Sequence, residues 1–315
     1  MPAPSPPAQN PRPAISLILA TIGDDERLAH LLESLRGQTL RDFEAIVVDQ
    51  SGGERVKRIV DAHGAGLDIT HIRHARGLSR SRNAGLRVAT GGIVAFPDDD
   101  CWYDTGLLGR VQRFLAAHAH VDGITGRASF DPAEHPPARF ARRAQWVAPA
   151  RVWTQGISCT IFLRRALVAR IGPFDEALGL GAGTPWSAAE ESDYLLRAVN
   201  ARARIWYDPA LTVHHPGHRG RFTVVEQARG AAYARAMGYV MRRHRAGRDA
   251  LAYHLARPIG GVLCAMLRGR LDVARFHLCV MRGRVRGWRD GGKSEAPASQ
   301  WRIGEIPPAA VSEAP

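Results

Sequence analysis

The chain has 315 residues, 45% of them hydrophobic and 23% charged, a globular composition that excludes disorder as a description of the whole. This exceeds the ~100 to 200 residues of a usual single domain, so one large α/β domain with an appendage, or two domains, is expected. The net charge of +13 is almost wholly arginine, since Lys57 and Lys293 are the only lysines among 43 basic residues. Arginine forks suit partners with phosphate groups, such as a nucleotide, anionic lipid or nucleic acid, although a GC-rich genome produces the same bias.

The first 13 residues, M-P-A-P-S-P-P-A-Q-N-P-R-P, lack the apolar run of a signal peptide and are expected to be disordered. Residues 15–20, I-S-L-I-L-A, read as a buried strand, and Leu28, Leu31, Leu32 and Leu35 then mark one face of a helix. The unit recurs: a strand over 43–49, a helix over 54–63, a strand at D-I-T-H-I-R, a helix over 78–89 and a strand over 93–96. This alternation predicts a parallel sheet covered on both faces, with any ligand outside the carboxyl ends of its strands. The polar residues there are 21–25, 49–51 and 98–100.

Beyond Phe114 the pattern loosens. G-I-T-G-R-A-S-F and S-C-T-I-F-L-R read as strands, a helix spans 190–199, and R-I-W-Y-D and L-T-V-H-H read as two short strands. Residues 222–286 read as helical, with many arginines, and the tail from 291 as flexible. Cys101, Cys159, Cys264 and Cys279 are far apart with no C-x-x-C pair, which fits a reducing, cytoplasmic compartment.

The run V-A-F-P-D-D-D-C-W-Y places Asp98, Asp99 and Asp100 directly after a buried strand. Adjacent carboxylates repel, and hard oxygen ligands of this kind suit Mg²⁺ or Mn²⁺, which also bridge a diphosphate. A solvated acidic turn is the alternative. Arg80 and Arg82 fit a solvated helix face equally well. Glu190 and Glu191 open a helix, where the dipole favours carboxylates regardless of function. Asp193 and Arg197, at i, i+4 spacing, read as a surface pair. G-L-G-A-G at 179–183 is no dinucleotide fingerprint, because no strand precedes it, and reads as a flexible loop over an acceptor.

I-S-L-I-L-A-T, S-L-R-G-Q-T-L-R-D-F-E-A-I-V-V-D-Q-S, G-L-S-R-S-R-N-A-G, the aspartate run, G-P-F-D-E-A-L-G-L-G-A-G and A-E-E-S-D-Y-L-L-R together resemble the family 2 glycosyltransferases of bacterial type. The similarity runs over residues 14–240 in the right order. It implies a GT-A fold: a Rossmann-like α/β nucleotide-sugar-binding sheet with flanking helices, plus here a C-terminal helical extension. The expected division is a catalytic domain over 14–220, with a donor half over 14–118 and an acceptor half over 119–220, then a helical region over 221–290.

The resemblance also implies roles. Asp99 would hold the metal, Asp98 the donor ribose, and Asp100 would be a support or second metal contact. Asp49 would read the base, with Gln50 replacing the second acid of the family's V-D-D-x-S, and Thr21 would lie beside it. Arg82 would hold phosphate and Asn83 would fix the loop bearing the aspartates. Aligned on Leu-Leu-Arg, Glu191 is the catalytic base and Glu190 its neighbour. Of His214, His215 and His218, His215 is the candidate metal ligand.

The expected reaction is hexosyltransferase-type: transfer of a sugar from a nucleotide-diphosphate donor to a glycan or lipid-linked acceptor hydroxyl, with inversion. The setting would be bacterial polysaccharide or glycolipid synthesis. The C-terminal helices are expected to lie on an anionic membrane surface, at the inner face of the membrane, without crossing it. Their longest apolar stretch, 258–267, falls short of the ~20 residues a span needs. An ordinary helical cap is the alternative. Rival functions are a basic nucleic-acid-binding protein, for which no helix-turn-helix, zinc or RNP signature is visible, and a metal-dependent nucleotidyltransferase.

Overall fold

The computed structural model describes residues 12–23, 25–130, 140–217 and 222–293. Three βα units and a fourth strand lead: β1 (Ile15–Thr21), α1 (Asp25–Arg36), β2 (Phe43–Asp49), α2 (Arg55–His63), β3 (Asp68–Arg73), α3 (Leu78–Val88) and β4 (Ile93–Ala95). Side chains alternate across a strand, so β1 feeds two cores. Ile15, Leu17 and Leu19 join Leu28, Leu31, Leu32 and Leu35 of α1 on one face. Ile18 joins Ile46, Val48, Leu86 and Phe96 on the other. Each of these leucines is fully buried, worth ~1.5 to 3 kcal/mol.

α4 (Leu107–Ala117), which the sequence did not reveal, follows the aspartate run. Then come β5 (Gly123–Ser129), β6 (Gln145–Trp146), β7 (Ile161–Arg164), α5 (Arg165–Ile171), α6 (Glu190–Asn200) and β8 (Ile205–His214). The described strands form one sheet in the order β3-β2-β1-β4-β7-β5-β8-β6. The expected all-parallel sheet is therefore only half right. β3, β2, β1 and β4 are parallel, but β7 runs antiparallel between β4 and β5. The two short strands expected near 204–215 are one strand, β8. Its pairing with β5 shifts register between Thr125 and Arg127, absorbing Asp208 and Pro209, which the sequence pattern reads as a break.

The C-terminal region is α7 (Val224–Arg243), α8 (Arg248–Leu267) and α9 (Leu271–Asp290). Thr223 and Glu226 close a capping box at the start of α7. α7 and α9 approach so closely that a Cβ added at Gly287 would stand 1.8 Å from the Arg235 carbonyl oxygen. α7 also docks on the α/β sheet region: Tyr239 stacks on Trp186 at 4.1 Å, Arg235 lies over the same ring, and Arg243 pairs with Asp175. Among the described residues α8 is long and apolar enough to cross a membrane by length and composition. The sequence reading missed this because its apolar stretch began at Pro258, whereas the helix starts at Arg248 and runs through Arg257 and Pro258.

Candidate active site

The carboxyl ends of β1, β2 and β4 open toward the start of α6, and the polar residues meet there. The three aspartates are half-buried and face different partners. Asp98 accepts from Arg82 at 3.0 Å and from the Ser158 hydroxyl at 2.9 Å. Asp99 accepts from the Thr21 hydroxyl at 2.6 Å. Asp100 lies 3.2 Å from His215 Nε2 and 3.3 Å from Arg27. The run is not a freely solvated acidic turn: the guanidinium groups of Arg82 and Arg27 lie beside Asp98 and Asp100 and offset part of its charge.

Arg82 is the hub. It is 1% exposed, and its two terminal nitrogens reach Asp98 and, at 2.9 Å, Glu190. Its guanidinium also lies over the Phe174 ring. A fork committed to two carboxylates in the interior is a strut between β4 and α6, not the phosphate ligand or solvated side chain expected. Asn83 is likewise redirected. Its amide donates to the Phe174 carbonyl at 3.0 Å and to Glu176 at 2.9 Å, and its oxygen accepts from Phe174 N–H, so it fixes the 174–176 loop and not the aspartates.

Glu190 is buried against Arg82, whereas Glu191, next on the helix, is half-buried. Burial, then the neighbouring Glu190 carboxylate, pushes Glu191 up to about 8. A carboxyl group so shifted is poised for proton transfer near neutral pH. Asp193 is not the surface residue expected. It is buried, paired with Arg197 at 2.9 Å and with His244 of α7 at 2.8 Å. Burial opposes its charge, but His244 and Arg197 outweigh it and hold the carboxyl below its ordinary value.

At the end of β2, Asp49 accepts from Ser51 N–H at 2.7 Å and lies 3.3 Å from His71. Gln50 accepts from Gly77 N–H at 2.8 Å, so its oxygen ties down the start of α3 where a base contact was expected. Thr21 bridges Asp99 and Gly23 N–H. The 179–183 segment is no free loop: the Leu180 carbonyl accepts from Leu78 N–H, and Arg80 donates to the Gly181 carbonyl. His218 lies outside the described residues.

Among the described residues no group of three or more His, Cys, Asp or Glu side chains forms a ready-made metal cage. A two-ligand site does fit. Ligands at ~2.1 Å in adjacent positions around an ion stand ~3 Å apart, and Asp100 and His215 are 3.2 Å apart. Asp100 is pushed up by burial, with Asp98 adding to the rise and His215 and Arg27 opposing it. Asp99 accepts from Thr21, while Asp100 and His215 are close enough together to share an ion. Two residues had no sequence signal: Ser158, which steadies Asp98, and Tyr233 of α7. Tyr233 is exposed on α7, and its hydroxyl is raised first by partial burial and then, against Arg229, by the Glu190, Glu191 and Asp98 carboxylates.

Comparison with known proteins agrees. The family model described as glycosyl transferase family 2 matches residues 16–172. The uncharacterized glycosyltransferase YwdF of Bacillus subtilis is 26% identical over 166 residues, which are 51% of this chain and 62% of that protein. A PGL/p-HBAD biosynthesis glycosyltransferase of Mycobacterium tuberculosis is 27% identical over 168 residues, 52% of this chain and 64% of that protein. The matches thus span less than two thirds of the length of these curated relatives. Among solved structures, the Pyrobaculum calidifontis mannosyltransferase PcManGT, in complex with GDP-Man and Mn²⁺, superposes with a TM-score of 0.62 at 18% identity, covering 89% of this chain and 88% of that one. S. aureus TarS residues 1–349, in complex with UDP-GlcNAc, gives 0.56 at 17% identity, covering 87% and 92%. The fold is therefore the GT-A type.

Proposed function

The chain belongs to glycosyltransferase family 2, and from that membership we propose that it moves a sugar from a nucleotide-diphosphate donor to an acceptor hydroxyl, with inversion. The observation that carries the reading is Glu191, a half-buried carboxyl pushed up to about 8 beside the Arg82 strut that joins Asp98 to Glu190. Glu191 takes the acceptor proton as the oxygen attacks the anomeric carbon in line, opposite the departing diphosphate. Arg82 sets the distance between base and aspartate motif, and Asp98, steadied by Ser158, orients the donor ribose. Asp100 and His215, with Asp99 beside them, would hold Mg²⁺ or Mn²⁺. When bound, that ion offsets the charge gathering on the leaving diphosphate.

PcManGT with GDP-Man and TarS with UDP-GlcNAc are the models for the donor class. A glycan or lipid-linked acceptor in polysaccharide or glycolipid assembly fits the cleft walled by α7, and the free thiols fit a reducing compartment. Neither rival function accounts for a family match across the aspartate run. The test is a screen of UDP- and GDP-sugars with and without Mn²⁺, read by thermal stabilisation and by slow release of nucleotide, because a ligand of the native state raises apparent stability. No stabilisation and no hydrolysis with any donor sinks the proposal.

A further inference from the structure

α8 presents a physical anomaly. Its most apolar window has a mean hydropathy of 1.3, yet only 11% of that window is buried. Ile259, Leu263, Met266 and Leu267 fall at i, i+4, i+7 and i+8, one helical face, and are 44%, 58%, 60% and 88% exposed. Leu271, just past the turn into α9, extends the stripe. Contiguous apolar surface of this kind, bounded by charge, marks an interaction site.

The charge around it is predominantly positive. Residues 248–293 hold ten basic and three acidic residues. A cavity of about 410 Å³ between α8 and α9 is lined by Arg257, Arg268, Arg270 and His277, with no carboxylate among its described lining residues. His254 is pushed down to about 4 by burial and then by Arg284, and Arg284 itself to about 10 by burial and then by Arg257.

We propose that the α8–α9 hairpin docks on an anionic phospholipid surface, the stripe entering the headgroup boundary while Arg268, Arg270 and the cavity take lipid phosphates. Alternating apolar and arginine side chains at the tip, Met266 to Leu271, match that boundary. The hairpin does not cross. α9 runs antiparallel beside α8, with His277 against Gly261 and Arg284 donating to the His254 carbonyl. A crossing α8 would carry Arg282, Arg284 and Arg286 into hydrocarbon, which is strongly unfavourable. A second copy fits less well, since a symmetric contact brings like-charged arginines together.

This docking does not rest on the transferase reading, and its test needs no turnover. The full chain is sedimented with phosphatidylglycerol vesicles and, separately, with phosphatidylcholine vesicles. Tight, salt-sensitive binding to the first and weak binding to the second is expected. Arg268→Ser with Arg270→Ser should weaken phosphatidylglycerol binding about 25-fold, at about fivefold per arginine, and leave phosphatidylcholine binding unchanged. Leu263→Glu with Met266→Glu should abolish binding to both, with unchanged thermal melting because both side chains are exposed. Equal affinity for the two lipids, or double variants that bind as the parent does, overturns the proposal. So does a stable dimer in solution that Leu263→Glu dissociates while vesicles are ignored.

Discussion

Glu191 offers the most exacting test, because its ordinary and shifted states predict opposite pH behaviour. Its carboxyl is raised from 4.5 to about 8 by burial and by Glu190. A base must be deprotonated to act, and with a pKa of about 8 about 1% is competent at pH 6 and about half at pH 8, so kcat/KM should rise about fifty-fold across that range. An unshifted glutamate gives a flat profile there. Glu190→Gln keeps an acceptor for Arg82 but removes the second cause of the shift, so the rising limb should move to lower pH. Stability carries the opposite sign. The folded state binds the proton more tightly than the unfolded one, so ionising Glu191 costs stability, a cost that grows as pH rises above ~4.3 and is complete above ~8. Glu191→Gln should therefore melt with the parent at pH 4 and above it at pH 9, while turning over donor and acceptor far more slowly. A flat parental profile from pH 6 to 8 refutes the raised pKa, and a Glu191→Gln enzyme with normal turnover refutes the base.

Arg82→Met leaves the buried Glu190 without its cation, and urea unfolding should show a loss of ~3 to 5 kcal/mol; a loss below ~1 kcal/mol would mean the strut carries no load. Asp100→Ala and His215→Ala should each weaken Mn²⁺ binding at least ~10-fold, read by electron paramagnetic resonance of the free ion without any turnover; unchanged binding moves the metal elsewhere. Gly287→Ala places a methyl into the Arg235 carbonyl and should lower stability by ~1 to 3 kcal/mol in thermal melts, whereas a neutral result means α7 and α9 are not in this register.

Local pattern accounts for what was legible in the sequence. Strands buried on both faces show as unbroken apolar runs, and α1 shows as four leucines at helical spacing, so β1, β2 and β4 could be read within a residue or two, while the partly exposed edge strand β3 was read from its place in the alternation. The aspartate run and the Glu190-Glu191 pair stood out for the same reason: each is a short string whose chemistry needs no distant partner to be noticed. The insertion of β7 between β4 and β5, and the continuity of β8 through Pro209, depend on which strand lies alongside, and periodicity says nothing of that.

Which partners each site residue meets was decided only by the tertiary structure. Arg82 meets Glu190 across 108 positions and Ser158 meets Asp98 across 60, so no spacing rule could show that an expected phosphate ligand is a buried strut. Gln50 and Asn83 were named as donor-site residues by motif, but a side-chain amide bonds to whichever backbone the fold brings near, here Gly77 and Phe174. Motifs therefore determined which residues stand at the strand ends. Long-range packing decided which of them face the cleft, because a polar group closed off from water must spend its hydrogen bonds on its nearest neighbours.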